Sequence, residues 1–130
     1  MIDICTMTTA FHNRREGGYI PYPESVRRCK AAGFDVLDIN MCSMSTPGKN
    51  ELTGDDWEQR VEDILRAKEE TGVTFYQSHP VFRAGAIMEF DDPSKEKYYW
   101  DMMFRGLDVT ARVGAKWAVI HPSNDPSTMD

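Results

Sequence analysis

Two histidines stand at equivalent positions of a repeated pattern in this chain. His79 ends the stretch VTFYQSHP at residues 73–80, and His121 ends the stretch KWAVIHP at residues 116–122. An imidazole titrates near neutral pH, so it can act as a general acid or base, or as a metal ligand. The two histidines are 42 residues apart. The spacing suggests that they occupy the same place in two copies of one structural unit.

Each of these stretches has the composition of a buried β-strand. Both are short, rich in β-branched and aromatic residues, and close with a proline, which cannot donate to a strand ladder. Each follows a helical pattern that ends in a glycine, Gly72 or Gly114. We therefore expect two neighbouring parallel strands whose histidines lie side by side at the same end of a sheet.

The remaining chain repeats the same alternation of strand and helix. Pro23 and Pro93 suit first helical positions, Asp92 suits an N-cap, and Asp55 with Glu58 resembles a capping box. The predicted strands are residues 2–7, 36–40, 73–78 and 116–120, and the predicted helices are 23–33, 55–71 and 93–113. The order βαβαβαβ over residues 1–130 predicts one α/β domain.

The loops that follow the strands are the long ones, and in α/β proteins such loops carry the functional site. Asp38 shares a face of its strand with Val36 and Asn40, opposite Leu37 and Ile39, so we expect it to act as a substrate ligand or as an acceptor of backbone hydrogen bonds. His12 and Phe82 lie in such loops and are candidate substrate-binding residues. A solvated loop for His12 and simple burial for Phe82 are the alternatives.

Composition limits the class of protein. The net charge of −6 argues against an extended nucleic-acid surface. The three cysteines have no metal-ligand spacing, which indicates a reducing, cytoplasmic setting. Because there is neither a signal-peptide pattern nor an apolar run of about 20 residues, we expect a soluble cytoplasmic protein with no membrane partner.

Three segments in order resemble one known superfamily. AAGFDVLDIN, QSHP and VGAKWAVIHP are together similar to the sugar phosphate isomerase/epimerase superfamily, the xylose isomerase-like TIM barrels, which includes the type IV AP endonucleases. The resemblance implies a (β/α)8 barrel of which this chain supplies the first half, about four βα units. It also implies a small sugar substrate and a divalent metal, which is Mn, Mg, Co or Zn.

The resemblance also bears on individual residues. The typical family pattern has a glutamate where Asp38 stands. In the sugar-handling branch the metal ligands come from the second half of the barrel, so this chain would hold no complete metal site. In the endonuclease branch, His79 and His121 match zinc ligands.

The function predicted from the sequence is metal-dependent isomerisation or epimerisation of a sugar or sugar phosphate, with His79 and His121 as catalytic residues. Two histidines that merely end strands with ordinary hydrogen bonds are the alternative. An AP-endonuclease-like zinc phosphodiesterase and a non-catalytic half-barrel are the other functions left open. A half-barrel would also expose strand edges through which copies of the chain could pair.

Overall fold

The computed structural model describes residues 4–11, 20–82, 90 and 92–120. These residues form one parallel sheet with helices between the strands. The strands are β1 (Cys5–Met7), β2 (Val36–Asn40), β3 (Thr74–His79) and β4 (Trp117–Ala118). The helices are α1 (Tyr22–Ala31), α2 (Trp57–Thr71) and α3 (Pro93–Val113), and short 3-10 turns occupy Thr8–Phe11, Cys42–Ser45 and Glu51–Thr53.

The sheet has its strands in chain order, β1-β2-β3-β4, and every neighbouring pair is parallel. Parallel strands joined by helices need crossovers, which are right-handed in nearly all proteins. A strand order that never reverses places successive helices on one face of the sheet. The α/β class and the order of elements predicted from the sequence are therefore confirmed.

The core lies between that face and the three helices. Leu37, Ile39 and Phe75 point into it from the strands and are at most 1% exposed. The helices contribute the remaining apolar side chains, among them Val26, Cys29, Val61, Ile64, Val109 and Val113. On the same face the Ser78 hydroxyl is 2.8 Å from that of Thr110 in α3. No helix of the described residues packs on the opposite face of the sheet, which we name the open face.

The ends of the helices depend on particular residues. Gly72 and Gly114 both have positive φ, 70° and 74°, at the C-terminal ends of α2 and α3. This left-handed conformation is costly for residues with a Cβ. Asp92 accepts a hydrogen bond from Ser94 N and precedes Pro93, as predicted. These three helix-end predictions are confirmed.

The predicted capping box of α2 is wrong. The helix begins at Trp57 with Asp56 at its N-cap, and Asp56 makes no side-chain capping bond. Its carboxylate instead accepts from Arg60, one helical turn later. The local ion pair thus takes the carboxylate that would otherwise cap the helix.

Burial differs from the sequence expectation at two aromatic positions. The aromatic and methionine run of α3 is typical of a core-facing helix, and Met102 and Met103 are buried, but Phe104 is 66% exposed. The strand pattern predicts a packed Trp117, yet this side chain is 55% exposed on β4. Both side chains lie away from the single layer of core between sheet and helices.

Candidate functional site

The candidate site lies on the open face, where β2 and β3 approach their carboxyl ends. Asp38 is in register with Gln77, and Asn40 is in register with His79. The row continues across the sheet, because Met7 is the partner of Asp38 and Trp117 is the partner of Gln77. Polar groups therefore occupy the two central strands, and apolar side chains occupy the two edge strands.

A close polar contact in the site joins Asp38 to His79. Oδ2 of Asp38 is 2.7 Å from Nδ1 of His79, and the two side chains are 2% and 16% exposed. Beside a carboxylate oxygen a proton on Nδ1 is favoured over a lone pair, because two lone pairs would repel each other. The contact is close, but Nδ1 makes no aligned hydrogen bond to Oδ2. In the neutral tautomer with the proton on Nδ1, the lone pair of the ring is on Nε2.

The same oxygen of Asp38 receives a second donor. Nε2 of Gln77 donates to Oδ2 over 2.5 Å. Oδ1 is buried and has no hydrogen-bond partner among the described residues. A buried carboxylate is normally bonded through both oxygens, because burying an unpaired polar atom is costly. Among the described residues, the Asp38 carboxylate is thus held through Oδ2 and not through Oδ1.

A β-bulge brings these three residues onto one face. The register between β2 and β3 shifts by one residue between Leu37, which pairs with Phe75, and Asp38, which pairs with Gln77. Tyr76 is the extra residue. Phe75 and Ser78 are consequently the buried positions of β3, three residues apart instead of two. Without the shift, alternation would turn both Gln77 and His79 toward the helices.

The loop after β2 is fixed by a buried polar network. The Tyr22 hydroxyl donates to the Asn40 carbonyl over 2.6 Å and accepts from Asn50 Nδ2 over 2.8 Å. The Asn40 amide N–H donates to Thr8 Oγ1 over 3.1 Å. Each group has a partner, so the end of β2 beside His79 is rigidly placed.

The cysteines near the site are not activated. Burial raises the pKa of Cys42, and the negative charge of Asp38 adds to that rise despite a hydrogen bond from Asn40. Burial also raises the pKa of Cys5, again with a contribution from Asp38. Because a thiolate is the reactive species, both thiols stay protonated and unreactive at neutral pH. We therefore interpret these two cysteines as structural.

Phe82 lies in the loop after β3, and this part of the loop is close to the loop after β2. Its backbone N–H donates to the Cys42 carbonyl over 3.4 Å, and its side chain is 37% exposed. The preceding Val81 is buried. The structure thus brings Asp38, His79 and the Phe82 backbone to the carboxyl end of the sheet. His12 and His121 lie outside the described residues, so their placement stays a prediction.

Gln77 is a site residue that the sequence pattern did not single out. A signal was present, because Gln77 and His79 are two residues apart and a strand places such residues on one face. The same alternation also puts Phe75 on that face, and only the bulge separates them. The sequence pattern offered no indication of that bulge.

The part of the chain that the structure describes contains no group of three or more His, Cys, Asp or Glu side chains that could hold a metal ion. Asp38 and His79 offer two donors, fewer than the divalent metals in proteins normally take. These residues alone do not fit the metal that the family resemblance implies.

Comparison with family models and with curated proteins gives no relative. No family model matches the chain, and no curated protein is significantly similar to it. Within the described ranges, every helix is too short or too polar to cross a membrane.

Proposed function

We propose that this chain is half of a (β/α)8 barrel that isomerises or epimerises a sugar or sugar phosphate. The observation that carries the proposal is the 2.7 Å contact between Asp38 and His79 at the carboxyl ends of adjacent parallel strands. The uninterrupted strand order is that of a barrel segment, and the resemblance of three sequence segments to the isomerase/epimerase superfamily supports the same assignment.

The chemistry assigned to His79 is proton transfer. Isomerisation of a sugar moves a proton between adjacent carbons, which requires a group that accepts and returns it near neutral pH. With Nδ1 facing Asp38, Nε2 of His79 is the atom that exchanges the proton. The carboxylate of Asp38 fixes the ring and stabilises the imidazolium that forms, as in other carboxylate–histidine pairs.

A divalent metal would polarise the substrate carbonyl and hydroxyl when bound. Asp38 and His79 do not make a metal site, so its remaining ligands would have to lie outside the described residues. The proton transfer by His79 and its support by Asp38 do not depend on the metal.

The two other functions make different demands on the molecule. Cleavage at abasic DNA sites would need a basic groove for the backbone, and the net charge of −6 opposes one. A non-catalytic half-barrel would keep the fold without binding a sugar. Ligand binding distinguishes both from the isomerase.

The proposal is tested by ligand titration followed by ¹H–¹⁵N NMR. Aldoses, ketoses and their phosphate esters are added to the chain with and without Mn²⁺, Mg²⁺, Co²⁺ or Zn²⁺. In the paramagnetic ions Mn²⁺ and Co²⁺, binding is detected as broadening of the protein signals. We expect the largest changes at His79 and at the side-chain amides of Gln77 and Asn40. The variant His79→Gln should weaken the response, and the exposed-site control Gln59→Leu should leave it unchanged.

Tight binding of an abasic-site duplex in zinc, with no response to any sugar, would favour the endonuclease alternative. No response to either ligand class, in a folded chain, would favour the non-catalytic half-barrel. Either result would refute the isomerase proposal.

A further inference from the structure

Gln77 has a contact that its place on the strand does not require. Its amide donates to Oδ2 of Asp38, the oxygen that also faces His79, over 2.5 Å. It reaches this oxygen because the bulge at Tyr76 puts Gln77, instead of the aromatic residue, in register with Asp38. Bulges of this kind often redirect a side chain next to a functional site.

We propose that Gln77 is a positioning residue that holds the Asp38 carboxylate in the orientation that keeps His79 protonated at Nδ1. The inference deepens the proposed function, on which it rests, since it states how the proton-transfer atom Nε2 is kept unprotonated in the neutral ring. Gln77 itself does not contact the reacting atoms in this scheme. It acts through Asp38.

The argument depends on how few contacts fix Asp38. The terminal torsion of an aspartate is broad and roughly two-fold, so a carboxylate without partners rotates easily. Oδ1 has no hydrogen-bond partner among the described residues, and the contact to His79 is off-line. The hydrogen bond from Gln77 is thus the aligned contact that selects one orientation.

Loss of the Gln77 donor has a specific consequence for His79. The carboxylate can then turn away from Nδ1, and the proton of the neutral ring redistributes between Nδ1 and Nε2. Any proton on Nε2 blocks that atom as an acceptor. A purely structural glutamine would instead lower stability without changing the position of this proton.

The tautomer is measured by long-range ¹H–¹⁵N NMR of the imidazole rings, at a pH where they are neutral. The chain has three histidines, and the His79 signals are assigned as those missing from His79→Gln. The test variants are Gln77→Leu and, as a second variant of similar length, Gln77→Met. The matched control is Gln59→Leu, which removes another glutamine–aspartate contact, the 3.3 Å bond to Asp63 on the exposed surface of α2.

We expect the wild type and Gln59→Leu to hold His79 mainly as the Nδ1–H tautomer. Gln77→Leu or Gln77→Met should raise the Nε2–H population several-fold while circular dichroism shows the fold retained. In the wild type, the Gln77 side-chain amide proton should exchange slowly, and Asp38→Asn should accelerate that exchange.

An unchanged tautomer in either folded Gln77 variant would overturn the inference, as would a wild-type ring protonated mainly at Nε2. If neither variant folds, a wild-type Gln77 amide that exchanges as fast as that of Gln59 would overturn it. A chain that binds no sugar but changes its tautomer with Gln77 would refute the proposed function and leave the positioning role intact.

Discussion

His79 lies 2.7 Å from Asp38 because β3 has one more residue than β2 between two points of their register. The extra residue, Tyr76, reverses the alternation of side chains along the rest of β3. It turns Ser78 toward Thr110 in the core and turns His79 toward the open face. The contact is therefore a property of the paired strands and not of either strand alone.

In an enzyme assembled from this chain and a complementary half-barrel, replacement of His79 should affect turnover far more than folding. We expect His79→Gln to lower kcat by about 10²- to 10⁴-fold, the usual contribution of a general acid–base group. Glutamine keeps a hydrogen-bond donor near the Asp38 carboxylate, so the melting temperature should change little. Steady-state kinetics and thermal melts check both parts. A variant that is simply unfolded would support the interpretation of His79 as an ordinary strand end.

Close packing behind His79 makes Gly106 sensitive to enlargement. A Cβ at Gly106 would lie 3.2 Å from Cβ of Pro80, the residue that follows His79. We expect Gly106→Val to lower the free energy of unfolding by about 1–3 kcal/mol, as overpacking does. Urea denaturation measures the change. The control is Leu107→Val, which puts the same side chain on the neighbouring, 38% exposed position of α3. Equal effects of both variants would contradict the packing argument.

Most of the fold could be predicted from the sequence because its signals are local. A glycine needed for positive φ marks the end of α2 at Gly72, and an Asp-Pro pair marks the start of α3 at Asp92. Strand β2 has the predicted bounds, residues 36–40, since its buried apolar residues and flanking turn residues are unambiguous. Such signals depend on the backbone of the element itself.

The candidate site could be predicted only in part, because its assembly depends on pairing between strands. The positions of Asp38 and His79 at strand ends followed from composition. The contact between them, and the role of Gln77, depend on the register shift, and strand alternation by itself predicts the opposite face. The absent cap at Asp56 has a similar cause, since the competing partner Arg60 determines which bond forms.

Substitution of Gly72, the glycine with positive φ at the end of α2, should lower stability even though space for a side chain is available there. Gly72 has φ of 70°, and an added Cβ would meet no atom within 4 Å. We expect Gly72→Ala to lower the free energy of unfolding by about 1–2 kcal/mol through backbone strain alone. Gly72→Asn should cost less, because asparagine tolerates this conformation better. Denaturant titration of both variants checks the order, and an equal loss would contradict it.

The N-cap of α3 predicts a pH dependence. Hydrogen bonds from the Ser94 side chain and backbone lower the pKa of Asp92 below its ordinary value of 3.8. A carboxyl whose pKa is lower in the folded state contributes its stabilisation above the ordinary pKa. That contribution disappears as the pH falls through the lowered pKa.

The stability difference between wild type and Asp92→Asn should therefore be constant near neutral pH and shrink below pH 3.8. Thermal melts across this range, with amide exchange at Ser94 and Lys95, measure it. Identical acid dependence of the two proteins would show that Asp92 does not contribute in this way.

The open face predicts self-association of the chain and no sugar turnover by the chain alone. Met7, Tyr76 and Trp117 are 36%, 47% and 55% exposed, all on strands of the sheet. The outer edges of β1 and β4 have no ladder partner among the described residues. Exposed apolar patches and free strand edges both promote association, and a four-stranded sheet cannot close a barrel. Light scattering at micromolar concentration should give a mass above the 14.9 kDa of the monomer, although the like charge of −6 weakens the association. We expect Trp117→Lys to lower that mass, whereas Phe104→Lys, on the outer surface of α3, should not.

A sugar isomerase assay with each candidate metal should show no turnover by this chain alone. A stable monomer that binds one divalent ion and turns over sugar would contradict both the association and the half-barrel assignment.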